Sequence, residues 1–230
     1  MEMPKVNDIR IQFDNMLKHE QFTIDRTGVK TLEIIGATFI ADEDCIIREP
    51  NKDYIQRELD WYKSQSRYVI DIPGKTPTIW QQVSDDFGKI NSNYGWCVWS
   101  EENGNQFDNV VNELRKNPNS RRAVMIYNRP TMHIDYNENG MNDFMCTYAN
   151  TFYIRDGRLI SHYLMRSNDA VFGYNNDYAW AKYVQKELAD ELNIEVGDLI
   201  WTASNLHIYE RHFGFLVDWI NSDTKGASTL

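Results

Sequence analysis

The sequence predicts a single α/β (α+β) domain in which helices and strands interleave along the chain. Its central stretch, 144–178, reads FMCTYANTFYIRDGRLISHYLMRSNDAVFGYNNDY. There, two runs rich in aromatic and β-branched residues, 147–154 and 158–166, flank Asp156-Gly157. Asp-Gly in that setting signals a two-residue hairpin, because both central positions of a type I′ turn need positive φ. The remaining segments alternate between helical and strand-like patterns, with no internal repeat, low-complexity linker or break in composition. At 230 residues, 42% hydrophobic and 25% charged, the chain is long enough for one sizeable core, so one domain is expected over 1–230.

Residues 6–18 place Ile9, Phe13, Met16 and Leu17 at helical spacing. Asp25-Arg26-Thr27-Gly28 makes a turn before a β-rich apolar run, Leu32 to Ala41. Asn51 is placed to cap a helix over 51–64, which carries Arg57-Glu58-Leu59-Asp60-Trp61. Pro73-Gly74 and Pro77 mark a loop, Trp80 opens a short helical stretch ending near Gly88, and Asn91 to Gly95 is a turn cluster. An amphipathic helix follows, with Phe107, Val110, Val111 and Leu114 at i, i+3, i+4 and i+7, and it stops at Asn117-Pro118-Asn119. Arg121-Arg122 lead into a strand over 123–127, and 136–143 is an exposed turn. After the hairpin comes a helix over about 176–193, with Trp180, Val184 and Leu188 at fourfold spacing. Leu199 to Tyr209 is a strand with His207 and Tyr209 on one face. A final helix reaches Ile220, and the polar segment 220–230 is expected to be a flexible tail.

No apolar run approaches the roughly 20 residues that cross a membrane, and MEMPKVNDIR at the N-terminus lacks a signal-peptide pattern. The three cysteines, 45, 97 and 146, share no CxxC spacing, so free thiols in a reducing cytoplasm are expected. A net charge of −10 argues against direct nucleic-acid binding through bulk charge. An anionic substrate therefore needs a local island of arginines, and Arg121-Arg122 and Arg166 are the candidates.

The hairpin ends bring Cys146 toward Arg166-Ser167-Asn168-Asp169, with Asp177 following. A thiol, a guanidinium, a hydroxyl and carboxylates in one region suit covalent chemistry on a phosphorylated substrate better than they suit a core. A free cysteine is by default a small buried hydrophobe, but Arg166 across the hairpin favours a thiolate at Cys146. Cys45 and Cys97 lack such neighbours and read as structural. Arg121-Arg122 is either solvated surface charge or an anion site, and its place between a helix stop and a strand favours the second; Arg26 carries the same ambiguity. His207 and His212 come with no HExxH and no clustered carboxylates, so no metal is expected and His207 reads as a hydrogen-bonding group. Trp61, Trp80 and Tyr94 are core residues by default.

Across the chain, DRTG (25–28), RELDW (57–61), IW (79–80), NYGWCVW (93–99), PNSRR (118–122), Cys146, RSND (166–169), DYA (177–179) and LHIY (206–209) occur in order. This set resembles the thymidylate synthase superfamily over nearly the whole length. GVKTLEIIGA, YIQRELDWYKS, INSNYGW, NDFMCT and RSNDAVFGYNNDYAW are similar to the branch, known from T-even bacteriophages, that hydroxymethylates deoxycytidylate. The departures from ordinary synthases agree. Those enzymes carry Pro-Cys-His where this chain has Met145-Cys146-Thr147, Gln at Met165, and a uracil-reading Asn at Asp177. Uracil offers N3–H and O4, which an amide matches; cytosine offers an N4 amino group and an N3 acceptor, which an amide does not. A carboxylate accepts from N4–H, and from N3–H once N3 is protonated.

The resemblance implies a single thymidylate synthase-like domain, a mixed sheet flanked by helices. It implies a transferase that moves the one-carbon unit of 5,10-methylenetetrahydrofolate to C5 of dCMP through a Cys146–C6 adduct, with water completing a hydroxymethyl group. It further implies phosphate binding by Arg26, Arg121, Arg122, Arg166 and Ser167, and sugar binding by His207 and Tyr209. Trp80 and Asp169 would contact folate, Tyr94 would lie near the nucleophile, and Glu58 would organise water and proton transfer. The same resemblance implies a homodimer with Arg121 and Arg122 reaching across from the other subunit, action in the cytoplasm of an infected cell, and a place among enzymes of phage nucleotide synthesis. A dCMP methylase, a thymidylate synthase acting on dUMP, and an inactive nucleotide-binding homologue share most of these motifs and stay open at this point.

Overall fold

A computed structural model of the chain describes residues 2–227 and, within them, side chains through Asn221. Helix α1 (Val6–Lys18) forms where the sequence expects it and buries Val6, Ile9 and Phe13. Strands β1 (Thr23–Ile24) and β2 (Lys30–Ile40) are joined by the Asp25–Gly28 turn, where the Asp25 carboxylate accepts from the Thr27 and Val29 amides and the Thr27 hydroxyl. Helix α2 (Lys52–Ser64) starts where Asn51 accepts the Tyr54 amide. Helix α3 (Thr78–Val83) is shorter than expected, because Ser84 is extended and the Asp85 carboxylate takes the Phe87 and Lys89 amides into a separate turn.

The expected turn at 91–95 is instead a helix start. Asn93 caps α4 (Tyr94–Trp99) by accepting the Trp96 amide. The expected exposed turn at 136–143 also needs correction, since Met141 and Asp143 are buried. Asp143 accepts from the Asn91 and Ser92 amides and the Ser92 hydroxyl, tying the segment before Cys146 to the start of α4. Helix α5 (Gln106–Lys116), strand β3 (Val124–Ile126) and the single turn α6 (Met132–Asp135) precede the hairpin.

The hairpin strands are β4 (Thr147–Arg155) and β5 (Arg158–Met165), and at their turn Asp156 (φ 50°) and Gly157 (φ 74°) both take positive φ as Asp-Gly requires. A short β6 (Asn168–Asp169) leads to α7 (Gly173–Leu192), which begins three residues before the expected 176. Strand β7 (Glu195–Tyr209) also begins early, and α8 (Phe213–Ala227) continues past Ile220. The segment expected to be a tail is therefore helical to Ala227, and 228–230 lie outside the described residues.

The strands form one mixed sheet in the order β1-β2-β7-β5-β4-β3, with β6 also on β7. Pairs β5–β7 and β6–β7 are parallel and the others antiparallel. Leu159, Ser161, Tyr163 and Met165 of β5 bury against the helices, while the alternating Ile160, His162 and Leu164 stay partly exposed on the opposite face. Trp61 (α2), Trp180 (α7) and Trp201 (β7) are fully buried, each worth roughly 1.5–3 kcal/mol or more in burial. Helices α2 and α4 approach closely at Gly95, where a Cβ would lie 1.8 Å from the Tyr62 carbonyl oxygen.

Candidate active site

The chemistry-bearing residues collect at one end of the sheet. Cys146 immediately precedes β4, Arg166 immediately follows β5, and the Arg166 amide donates to the Cys146 carbonyl at 2.8 Å. The β4–β5 register shifts at Thr147/Ala149, a bulge beside the nucleophile of the kind that re-aims a strand end. The Arg166 guanidinium donates to the carbonyls of Met145 (2.9 Å) and Phe144 (2.7 Å) and lies 3.5 Å from the Cys146 Sγ. It is thus fixed by the backbone that carries the thiol. Burial pushes the Cys146 thiol up to about 11, and Arg166 is the charge that opposes this. Arg166 favours the thiolate as expected, but desolvation outweighs it.

Asp177 is the fifth residue of α7 and does not cap it. Its Oδ1 accepts from the Tyr94 hydroxyl (3.3 Å) and its Oδ2 from the Asn168 amide nitrogen (2.9 Å). Tyr94 in turn accepts from Thr147 at 3.0 Å. Burial, then the nearby Glu58 charge, holds the Asp177 carboxyl well above the usual range, while the Tyr94 and Asn168 bonds pull it down. Glu58 is buried on α2, and its Oε1 accepts from Tyr54 (2.6 Å) and from the Trp80 indole (3.2 Å). Burial pushes it up to about 7 against those hydrogen bonds. Trp80, half-buried, also donates to the Tyr54 hydroxyl at 2.9 Å, so its ring is fixed beside Glu58.

On the other side, β6 pairs with β7 so that Asp169 lies opposite His207. His207 Nδ1 is 3.0 Å from Asn205 Oδ1, and burial lowers its basicity. Tyr209 stacks edge-on against His207, with ring centroids 4.8 Å apart. Thr31 pairs with Tyr209, which sets the Asp25–Gly28 turn and the exposed Arg26 at this same end of the sheet.

A model of the thymidylate synthase family matches residues 11–230. The chain belongs to that family. Among family relatives, the deoxycytidylate 5-hydroxymethyltransferase of Enterobacteria phage T2 is 52% identical over 224 residues, covering 94% of this chain and 91% of that protein. The proteins of the same name from Enterobacteria phages T4 and T6 are each 52% identical over 228 residues, covering 95% of this chain and 92% of theirs. A solved thermostable thymidylate synthase A from Bacillus subtilis superposes with a TM-score of 0.71 at 23% identity, over 93% of this chain and 82% of that one, and so shares the fold.

Within this family fold, one chain gathers Cys146, Arg166, Ser167, Asp169, Asp177, Tyr94, Glu58, Trp80, His207, Tyr209 and Arg26 toward a single end of the sheet. Arg121 and Arg122 do not join them. They are exposed and precede β3, whose Val124 pairs with Thr151, so Arg122 lies level with Tyr153, roughly 20 Å along β4 from Cys146. Sequence reasoning missed Asn168, Thr147 and Asp143, whose roles come from contacts remote in sequence. Among the described residues no helix is long and apolar enough to cross a membrane.

Proposed function

We propose that this protein converts dCMP, 5,10-methylenetetrahydrofolate and water into 5-hydroxymethyl-dCMP and tetrahydrofolate. The observation that carries the reading is the half-buried Asp177 carboxylate, held by two donors at the position where an amide would suit uracil. The 52% identity to deoxycytidylate 5-hydroxymethyltransferases over most of both chains supports it.

In this reading the Cys146 sulfur adds to C6 of the base, and the displaced π electrons make C5 nucleophilic. The electron density that arrives at N3 is taken up there by the proton the thiol gives up, and Asp177 accepts from that N3–H and from N4–H. Folate supplies the one-carbon unit that C5 takes up. Trp80, with its indole N–H edge fixed on Glu58, and the Asp169 carboxylate, which also accepts the Val171 amide at 3.0 Å, suit a flat heteroaromatic ring bearing N–H donors. C5 then loses its proton as the bond between the one-carbon unit and tetrahydrofolate breaks, leaving an exocyclic methylene to which water adds. Glu58, poised near neutrality, and Tyr94 are placed to handle this proton and the water whose oxygen becomes the hydroxyl. Reforming the C5–C6 double bond expels Cys146.

Arg166, Ser167 and Arg26 would hold the 5′-phosphate from within the chain, and His207 and Tyr209 the 3′-hydroxyl. Arg121 and Arg122 would complete the phosphate site of a second copy in a homodimer. The partly exposed sheet face, which carries Ile126 at 57% exposure on β3 and the half-buried Ile160 and Leu164 on β5, suits such a partner. The reaction would run in the cytoplasm of an infected cell, beside other enzymes of phage nucleotide synthesis.

The test is to incubate the protein with dCMP and methylenetetrahydrofolate and weigh the nucleotide product. A hydroxymethyl gain is expected. A methyl gain would make it a methylase, turnover of dUMP in preference to dCMP a thymidylate synthase, and binding without turnover an inactive homologue.

A further inference from the structure

Asn168 is buried, 3% exposed, on the two-residue strand β6. Its Nδ2 donates to Asp177 Oδ2 at 2.9 Å, and its own Oδ1 has no hydrogen-bond partner. Turning the amide over would set oxygen against carboxylate oxygen, so the N–H orientation is forced. A buried acceptor without a donor costs stability, so an apolar side chain of similar size would serve the fold better. What the asparagine offers in exchange is one N–H aimed at Asp177.

We infer that Asn168 is a positioning residue for base selection, holding Asp177 turned toward the N3–N4 edge of cytosine. This rests on the reading of Asp177 above. The groups around Asp177 make such a hold necessary. Glu58 and Tyr62 face it from α2, Tyr94 from α4, Cys146 and Tyr163 from the hairpin, and Asp169 from β6. All are neutral or negative, and none supplies a positive charge that would keep the carboxylate ionised. Two neutral donors, the Tyr94 hydroxyl and the Asn168 amide, are what pull the carboxyl back toward ionisation against burial and the Glu58 charge. Without the Asn168 N–H, Asp177 holds its proton to higher pH and turns more freely about its side-chain torsions, so an acceptor for N4–H is lost part of the time.

The experiment compares kcat/KM for dCMP and dUMP across pH in the parent protein, Asn168→Ala, Asp177→Asn and the double variant, with thermal unfolding as a control. Asn168→Ala is expected to lower the dCMP to dUMP ratio by about tenfold to a hundredfold, the usual cost of a lost bond to a charged group. It should also move the acid limb of the dCMP profile to higher pH. In the Asp177→Asn background the same change should leave the ratio unmoved. Asn168→Asp keeps the shape, replaces the donor by a second carboxyl, and should move the acid limb up even where the alanine variant folds poorly. An unchanged ratio and acid limb in well-folded Asn168 variants, or an equal effect in both backgrounds, overturns this inference alone. An unchanged ratio in Asp177→Asn overturns the cytosine-reading assignment and this inference with it.

Discussion

Glu58 sits where a carboxyl can exchange protons near neutrality, and that position has a cost to the fold. Its native proton is held to about 7 against 4.5 in the unfolded chain, so between these values the native state binds more protons than the unfolded one. Stability therefore falls as pH rises through that window. Glu58→Gln is expected to remove the slope, gaining up to about 3 kcal/mol on the parent protein by its upper end, as denaturant unfolding at both ends would show. The same variant should lose turnover, the mark of a group kept for chemistry. Cys146→Ser is expected to keep the fold and nucleotide binding but abolish both turnover and exchange of the C5 hydrogen of dCMP, since both need the C6 adduct. Rapid C5 exchange in the serine variant would sink the covalent assignment. Cys146, Glu58 and Asp177 could be proposed from the sequence because their motifs stand in order along the chain. Asn168 and Asp143 could not, because a short strand's partner across the fold and a carboxylate's three donors leave no local pattern.

Elements with strong periodicity, α1, α5 and the β4–β5 hairpin, matched their sequence expectations closely. Misjudged boundaries follow the turn-forming residues. Asn93 and Gly95 look like a loop but are a cap and a contact point, and Gly173 with Asn175 and Asn176 hides the first turn of α7. Glu195, Gly197 and Asp198 are weak strand formers, carried into β7 by parallel pairing with β5 from Arg158↔Glu195 onward. The contact at Gly95 gives the sharpest expectation at this scale. A methyl group there meets backbone, not a yielding side chain, so Gly95→Ala should cost about 3 kcal/mol or more in chemical denaturation. Because α2 carries Glu58 and α4 carries Tyr94, it should also lower kcat more than KM rises. Asp143→Ala, which strips three donors of their shared acceptor, should destabilise by a comparable amount.

At the scale of the whole molecule, the register of β3 on β4 keeps Arg121 and Arg122 far from the chain's own nucleophile. Mixing Arg122→Ala protein with Cys146→Ser protein should restore part of the activity, because a mixed pair assembles one intact site. No recovery in equilibrated mixtures with demonstrated subunit exchange would refute the shared site. The distance of Arg121 and Arg122 from Cys146 was not legible from periodicity, which does not give the register of β3 on β4.

The same separation along β4 has a kinetic meaning. A lone chain holds the nucleophile but only part of the phosphate grip, so on the shared-site reading the rate below the dimer dissociation constant grows with the square of chain concentration. Activity would then switch on with accumulation, not with synthesis of the first copies.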